Sequence, residues 1–167
     1  DVDANVSIRL RDEVEIEIAA TLRESKISGY PTPATKVQGT YAKKRFVGTL
    51  TVLDPKLATE ATYEIRDDGK IDFSTSSKSV DLSALAPYGV KAKGRAWVRS
   101  RGTLEDGRIA ATFDASLGAP DVGGVRAKNA VVRGRVEGLV SEPRELSIDV
   151  EAEGEKLEAG DASLARF

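Results

Sequence analysis

Six stretches of the chain alternate apolar and polar residues, and this alternation restricts what it can fold into more than any other feature. Ala4, Val6, Ile8 and Leu10 are interleaved with Asp3, Asn5, Ser7, Arg9 and Arg11. Val14, Ile16, Ile18, Ala20 and Leu22 are interleaved with Glu13, Glu15, Glu17 and Thr21. The same period of two runs through Leu57–Ile65, Val90–Val98, Ile109–Leu117 and Leu146–Ala152. Successive side chains of a strand point to opposite faces, so each stretch is apolar on one side and wet on the other. A sheet built from such strands owns one long apolar face. What covers that face becomes the functional question.

Composition narrows the answer. A chain of 167 residues fits a single β-rich domain spanning residues 1–167. At 40% hydrophobic and 31% charged it is too apolar for a disordered chain. Its apolar residues are mostly Val, Ala, Ile and Leu, with one Trp, four Phe and four Tyr. A core of small aliphatics gains less burial than one rich in aromatics, unless a face stays partly uncovered. Neither Cys nor His occurs. Disulfides and thiolate metal sites are therefore excluded, and so are the usual general base near neutral pH and the commonest metal ligand. No apolar run approaches the roughly 18–20 residues that span a bilayer as a helix. The chain enters a strand pattern directly at Asp1, which reads as a segment of a longer protein.

Turn chemistry sets the strand spacing. Arg11-Asp12-Glu13 joins the first two strands into a hairpin, and Pro31 and Pro33 keep the segment around Tyr30 at an edge or outside the sheet. Val37–Tyr41 and Phe46–Leu53 follow, split by Lys43-Lys44-Arg45, and Asp67-Asp68-Gly69 marks a tight hairpin before Ile71–Thr75. Ser76–Lys78 reads as a polar joint, so a change of organisation is expected across residues 76–89. Asp81 to Gly89 is the one helical turn, with Asp81 or Ser83 as its N-cap and Pro87-Gly89 as its stop. Strands are then expected at Val90–Val98, Ile109–Leu117, Val125–Val132, Arg133–Gly138, Leu146–Ala152 and Leu157–Leu164. Gly102, Gly107, Gly123-Gly124 and Glu142-Pro143 punctuate them. Glycines inside strands, at Gly48, Gly94 and Gly134, mark bends or close approaches and predict strong curvature.

Charge is uneven. From Lys91 to Arg135 ten bases face four acids, and from Glu137 to Asp161 nine acids face two bases. Adjacent strands of opposite sign pair favourably on a wet face, which accounts for both blocks. Nucleic-acid binding is not expected, because the basic block offers only Trp97 for base stacking. The carboxylates Glu13/Glu15/Glu17 and Glu151/Glu153/Glu155 lie on the solvated face of their strands, where nothing raises a pKa for acid catalysis. Asp67-Asp68-Gly69 lacks the further oxygen ligands of a calcium loop. Asn5-Val6-Ser7 has the form of a glycosylation sequon inside a strand. No phosphate loop, dinucleotide fingerprint or nucleophile elbow is present, so no enzyme, metal or cofactor is expected.

The second half carries a family resemblance. Asp81-Leu82-Ser83-Ala84-Leu85-Ala86-Pro87 is followed by Gly94-Arg95-Ala96-Trp97-Val98 and by Leu104-Glu105-Asp106-Gly107-Arg108-Ile109-Ala110-Ala111-Thr112. Gly123-Gly124-Val125-Arg126-Ala127-Lys128-Asn129-Ala130 then runs into Gly134-Arg135-Val136-Glu137-Gly138. This pattern, a short leucine-rich turn before glycine-punctuated alternating strands, resembles the TamB/AsmA-like proteins over Asp81 to Phe167. The resemblance implies a segment of an inner-membrane-anchored envelope protein in the periplasm. In such proteins a taco-like sheet is proposed to conduct phospholipids or to support outer-membrane assembly. The partners it implies are phospholipid or another acyl-chain lipid, neighbouring segments of the same sheet, and an outer-membrane assembly protein.

The expected architecture is therefore all-β: a curved, mostly antiparallel sheet of eleven or twelve strands, open or taco-shaped, with an apolar interior and one short helical turn. The expected lipid-contacting lining is Val90, Ala92, Ala96, Val98, Ile109, Ala111, Phe113, Ala115, Leu117, Val132, Val136, Ile148 and Val150. Val14, Ile16, Ile18, Leu50, Val52, Tyr63 and Ile65 extend it into the first half. The competing reading is a self-contained β-sandwich or barrel acting as an extracellular interaction module. A carboxylate hydrolase would need a buried acid pair that the pattern does not provide.

Overall fold

The structure is a computed structural model, and it describes residues 2–10, 14–27, 30–142, 145–160 and 162–166. Twelve strands form one antiparallel sheet. They are β1 (Val2–Leu10) and β2 (Val14–Leu22), then β5 (Thr35–Ala42), β6 (Arg45–Val52), β7 (Thr59–Arg66) and β8 (Ile71–Asp81). The second half supplies β9 (Ala92–Glu105), β10 (Arg108–Val122), β11 (Val125–Arg126), β12 (Asn129–Leu139), β13 (Ser147–Ala159) and β14 (Ala162–Arg166). The remaining pair, β3 (Ser25–Ile27) and β4 (Tyr30–Thr32), makes a separate hairpin that carries Pro31 outside the main sheet. Nearly every strand pairs with its successor in the chain, so the sheet is a meander; β11 is a two-residue insert bridging β10 and β13.

The sheet folds as a single thin layer. Its accessible surface is 11702 Å², against about 8000 Å² for a compact monomer of this size. Among the described residues no side chain is fully buried, and the buried apolar set is limited to Val80, Leu82, Ala92, Ala96 and Ala130.

Four of these pack as one cluster, Val80, Leu82, Ala92 and Ala96, with Leu57, Leu85, Val98 and Leu117 against it. The cluster forms because a 3-10 helix, Leu82–Tyr88, folds back over one end of the sheet. Asp81 caps it by accepting from the Ser83 amide at 2.9 Å, and hydrogen bonding from the Ser83 side chain, with the amide bond second, holds the Asp81 carboxyl below its ordinary pKa. Gly89 ends it at φ 84°, where a side chain would be strained. The Tyr88 hydroxyl ties the turn to the β3–β4 hairpin by donating to the Pro31 carbonyl at 2.8 Å.

Several expected boundaries move. Ser76–Lys78, expected as a polar joint, lies inside β8, where the register against β9 shifts between Ser77 and Val80. Gly102 lies within β9 and ends no strand. A second irregularity opposes Gly94 (φ 108°) to Ala119 (φ 46°) and shifts the β9–β10 register between Gly118 and Asp121. A Cβ on Gly94 would lie 2.7 Å from the Ala119 carbonyl oxygen, so the close approach requires glycine. Such bulges let strands run on past a kink while sharpening twist. They explain why β9 and β10 reach 14 and 15 residues, longer than the alternating stretches predict. Likewise β12 joins the second half of Val125–Val132 to Arg133–Gly138, and β13 joins Leu146–Ala152 to the start of Leu157–Leu164, whose end lies in β14. The first turn, Arg11-Asp12-Glu13, lies outside the described residues, as does Pro143.

Candidate functional site

Antiparallel pairing puts cross-strand partners on the same face, so the register shows which residues share a surface. One row runs Ile16–Tyr41–Phe46–Ile65–Ile71–Leu104–Ile109 across seven strands. The next runs Ile18–Gly39–Gly48–Tyr63–Phe73–Gly102–Ala111–Val136–Ile148. A third runs Ala20–Val37–Leu50–Ala61–Thr75–Ser100–Phe113–Gly134–Val150. Beyond it lie Thr59–Ser77–Val98–Ala115–Val132–Ala152, and at the capped end Val80–Ala96–Leu117–Ala130–Gly154. Each row crosses five or more strands, and the face they build is common to nearly the whole sheet.

Nearly all the expected lining residues fall on it. Ile16, Ile18, Leu50, Val52, Tyr63, Ile65, Ile109, Ala111, Phe113, Ala115, Val132 and Val136 are half-buried there. Ile148 and Val150, on β13, remain 58% and 54% exposed. Ala92, Ala96, Val98 and Leu117 sit beneath or beside the 3-10 helix and so belong to the packed cluster. Val14 pairs with Leu10 in the backbone. Val90 is the exception: it lies between the 3-10 helix and β9, off the strand and exposed. The helix end at Gly89 interrupts the alternation before the strand begins.

Two features of the face are not apparent from the alternation. The first is a set of glycine seats under aromatic rings. A Cβ on Gly39 would come within 2.5 Å of Phe46 Cζ, one on Gly48 within 2.6 Å of Tyr63 Cζ, and one on Gly134 within 2.4 Å of Phe113 Cζ. The rings therefore lie flat on the sheet. Phe46 and Tyr63 also stack, with centroids 5.8 Å apart and planes at 29°. Partial burial raises the Tyr63 pKa above its ordinary value. The second feature is a hydroxyl stripe crossing the face from β7 to β9. Thr59 and Ser77 share a hydrogen bond at 2.8 Å, and Thr75 and Ser100 share one at 2.7 Å. Because they satisfy one another, these groups sit in the apolar face at little cost.

The opposite face is charged and wet. Arg45–Glu64 at 3.3 Å, Lys70–Glu105 at 3.1 Å and Arg133–Glu153 at 3.2 Å join neighbouring elements there. The last pair links the basic β12 to the acidic β13, as opposite charge blocks on adjacent strands predict. Beside the 3-10 helix a cleft of about 470 Å³ mixes Pro31, Pro33, Leu57 and Tyr88 with Glu24, Lys26 and Asp54. No helix among the described residues is long and apolar enough to cross a membrane.

Chemically, a broad apolar face of flat rings and small aliphatic residues can hold alkyl chains by burial. No protein-family model, curated protein or solved structure matches the chain.

Proposed function

We propose that the chain is a non-enzymatic segment of a periplasmic lipid-transport or outer-membrane-assembly protein, and that its apolar face forms a groove for phospholipid acyl chains. The observation that carries this reading is the half-exposed state of that face: rows of aliphatic and aromatic side chains cross the sheet, yet none is fully buried among the described residues. An apolar surface this broad is unusual on a soluble protein and marks a site of contact. Acyl chains would gain about 0.8 kcal/mol per methylene removed from water. Smooth residues such as Ala111, Ala115, Val132 and Val136 favour sliding over tight capture. The resemblance of the second half to TamB/AsmA-like proteins points to the same class, and with it to an inner-membrane-anchored parent.

Mass spectrometry of material extracted from the purified, folded domain tests the reading. Stoichiometric phospholipid or other acyl-chain lipid is the expected result. A domain free of lipid that does not take up a fluorescent fatty acid would remove the proposal in favour of a β-module that binds other proteins.

A further inference from the structure

The face opposite the apolar one carries a second surface with its own logic. Lys93, Arg95, Trp97, Arg99 and Arg101 occupy alternate positions of β9, and all five are exposed. At about 3.3 Å per residue the cations extend over about 26 Å. Three of them, Lys93, Arg95 and Arg99, have an aspartate as cross-strand neighbour, but each aspartate is also engaged elsewhere. Arg101 lies between Ser74 and Thr112, and Arg99 between Ser76 and Asp114. Asp114 is itself 3.7 Å from Arg133. Arg95 lies between Gly118 and Asp81, whose carboxylate already caps the 3-10 helix. Lys93 pairs with Asp121, which is held by Arg126 at 3.1 Å. Among the described residues none of the four cations forms an ion pair. A row of exposed like charges makes a positive stripe, and an extended anionic partner complements it.

Trp97 identifies the partner. It is the only tryptophan of the chain, it is 48% exposed, and it lies beside Gly118 in the middle of the cationic row. Single-stranded nucleic acid is held by successive aromatic platforms along a basic track, and β9 offers one. A lone indole among cations is instead the arrangement that seats at a membrane–water interface, with the ring at headgroup level and the charges opposite phosphates. We propose that the outer face of β9 docks on the surface of a membrane rich in anionic phospholipid, through Lys93, Arg95, Arg99 and Arg101 with Trp97 as the interfacial anchor. This surface is separate from the apolar face and does not depend on lipid being held there.

The sole tryptophan reports directly. With phosphatidylcholine vesicles containing about one-third phosphatidylglycerol, the domain should cosediment and Trp97 emission should shift to the blue. Pure phosphatidylcholine should give neither effect, and raising the salt severalfold should reverse binding. Arg99→Gln with Arg101→Gln should lower partitioning about 25-fold, at about fivefold per charge, with unchanged circular dichroism. Lys93→Gln with Arg95→Gln should do the same and guards against misfolding of the first pair. Both double variants should still take up a fluorescent fatty acid as the parent domain does, so failure here is distinguishable from failure of the acyl-chain reading. Equal binding to neutral vesicles, no emission shift, or undiminished binding by both double variants would overturn the proposal. Tighter binding to a single-stranded oligonucleotide than to anionic vesicles would overturn it as well.

Discussion

The ring of Phe113 lies directly on Gly134, its cross-strand partner, so close that a Cβ there would fall 2.4 Å from Cζ and 2.7 Å from the Asp149 carbonyl oxygen. The ring can turn away from an added methyl; the β13 backbone cannot. Gly134→Ala should therefore destabilise the domain by about 1–3 kcal/mol, read from urea denaturation. In a Phe113→Ala background the same substitution should cost less, while the clash with Asp149 retains part of the penalty. Additive effects of the two changes would show that the ring does not rest on the glycine.

Tyr63 predicts a pH dependence. Burial holds its phenol above the ordinary tyrosine pKa, so the unfolded chain ionises first as pH rises. The contribution of neutral Tyr63 is fully present below the unfolded pKa and is lost as pH climbs through the folded one. In a spectrophotometric titration one phenol step should lie above the ordinary tyrosine range, and Tyr63→Phe should remove that late step. A late step that survives this substitution would place the perturbed phenol elsewhere.

Solvent-polarity probes at alternate positions test the register. A probe at Phe113 or Val98 should report an apolar site, and probes at Asp114 or Arg99 should report water, because the first two face the rows of aliphatic side chains and the last two are exposed. Equal signals at Phe113 and Asp114 would mean that β10 is shifted by one residue, which would turn every side chain to the other face.

Which residues share a face is legible in the sequence, because the side-chain period of a strand is two and apolar residues recur at that spacing with polar ones between them. Ile109 through Leu117 reads correctly residue by residue. Strand lengths are not legible, because a bulge resets the period without ending the strand. Ser76–Lys78 looks like a joint for this reason, and Gly94 conceals the approach of Ala119. The hydroxyls Thr59, Thr75, Ser77 and Ser100 occupy positions of the apolar face, where pairing across strands lets them sit. Val90 fits the alternation in sequence but belongs to the exit of the 3-10 helix. The glycine seats are visible only once the register places Gly134 against Phe113 and Gly39 beside Phe46.

The outer edge of β13 predicts association. β12 covers one side of residues 147–155, whereas β14 covers the other side only from Glu155 onward. Backbone groups along residues 147–154 are therefore open to another strand, beside exposed Ile148 and Val150. Light scattering should show concentration-dependent self-association, and Ile148→Lys should suppress it, since edge lysines oppose strand addition. A monomer at high concentration in both proteins would mean that this edge is protected in solution.

A charge placed on the apolar face separates an uncovered surface from a closed core. Phe113 is half-buried on the open part of the face, whereas Val80 is 8% exposed beneath the 3-10 helix and Val98 packs against the same cluster. In a closed core an unpaired carboxylate costs several kcal/mol and unfolds a domain of ordinary stability. On an uncovered face it reaches water by a rotamer change. Phe113→Glu should therefore leave the circular dichroism spectrum and most of the stability intact while reducing bound lipid. Val80→Glu should unfold the domain, and Val98→Arg should lie between the two because the helix closes over one side of it. The contrast between Phe113 and Val80 carries the test: unfolding by both substitutions, with no lipid in the parent domain, would mean that the apolar face is covered in solution and that acyl chains have no access to it.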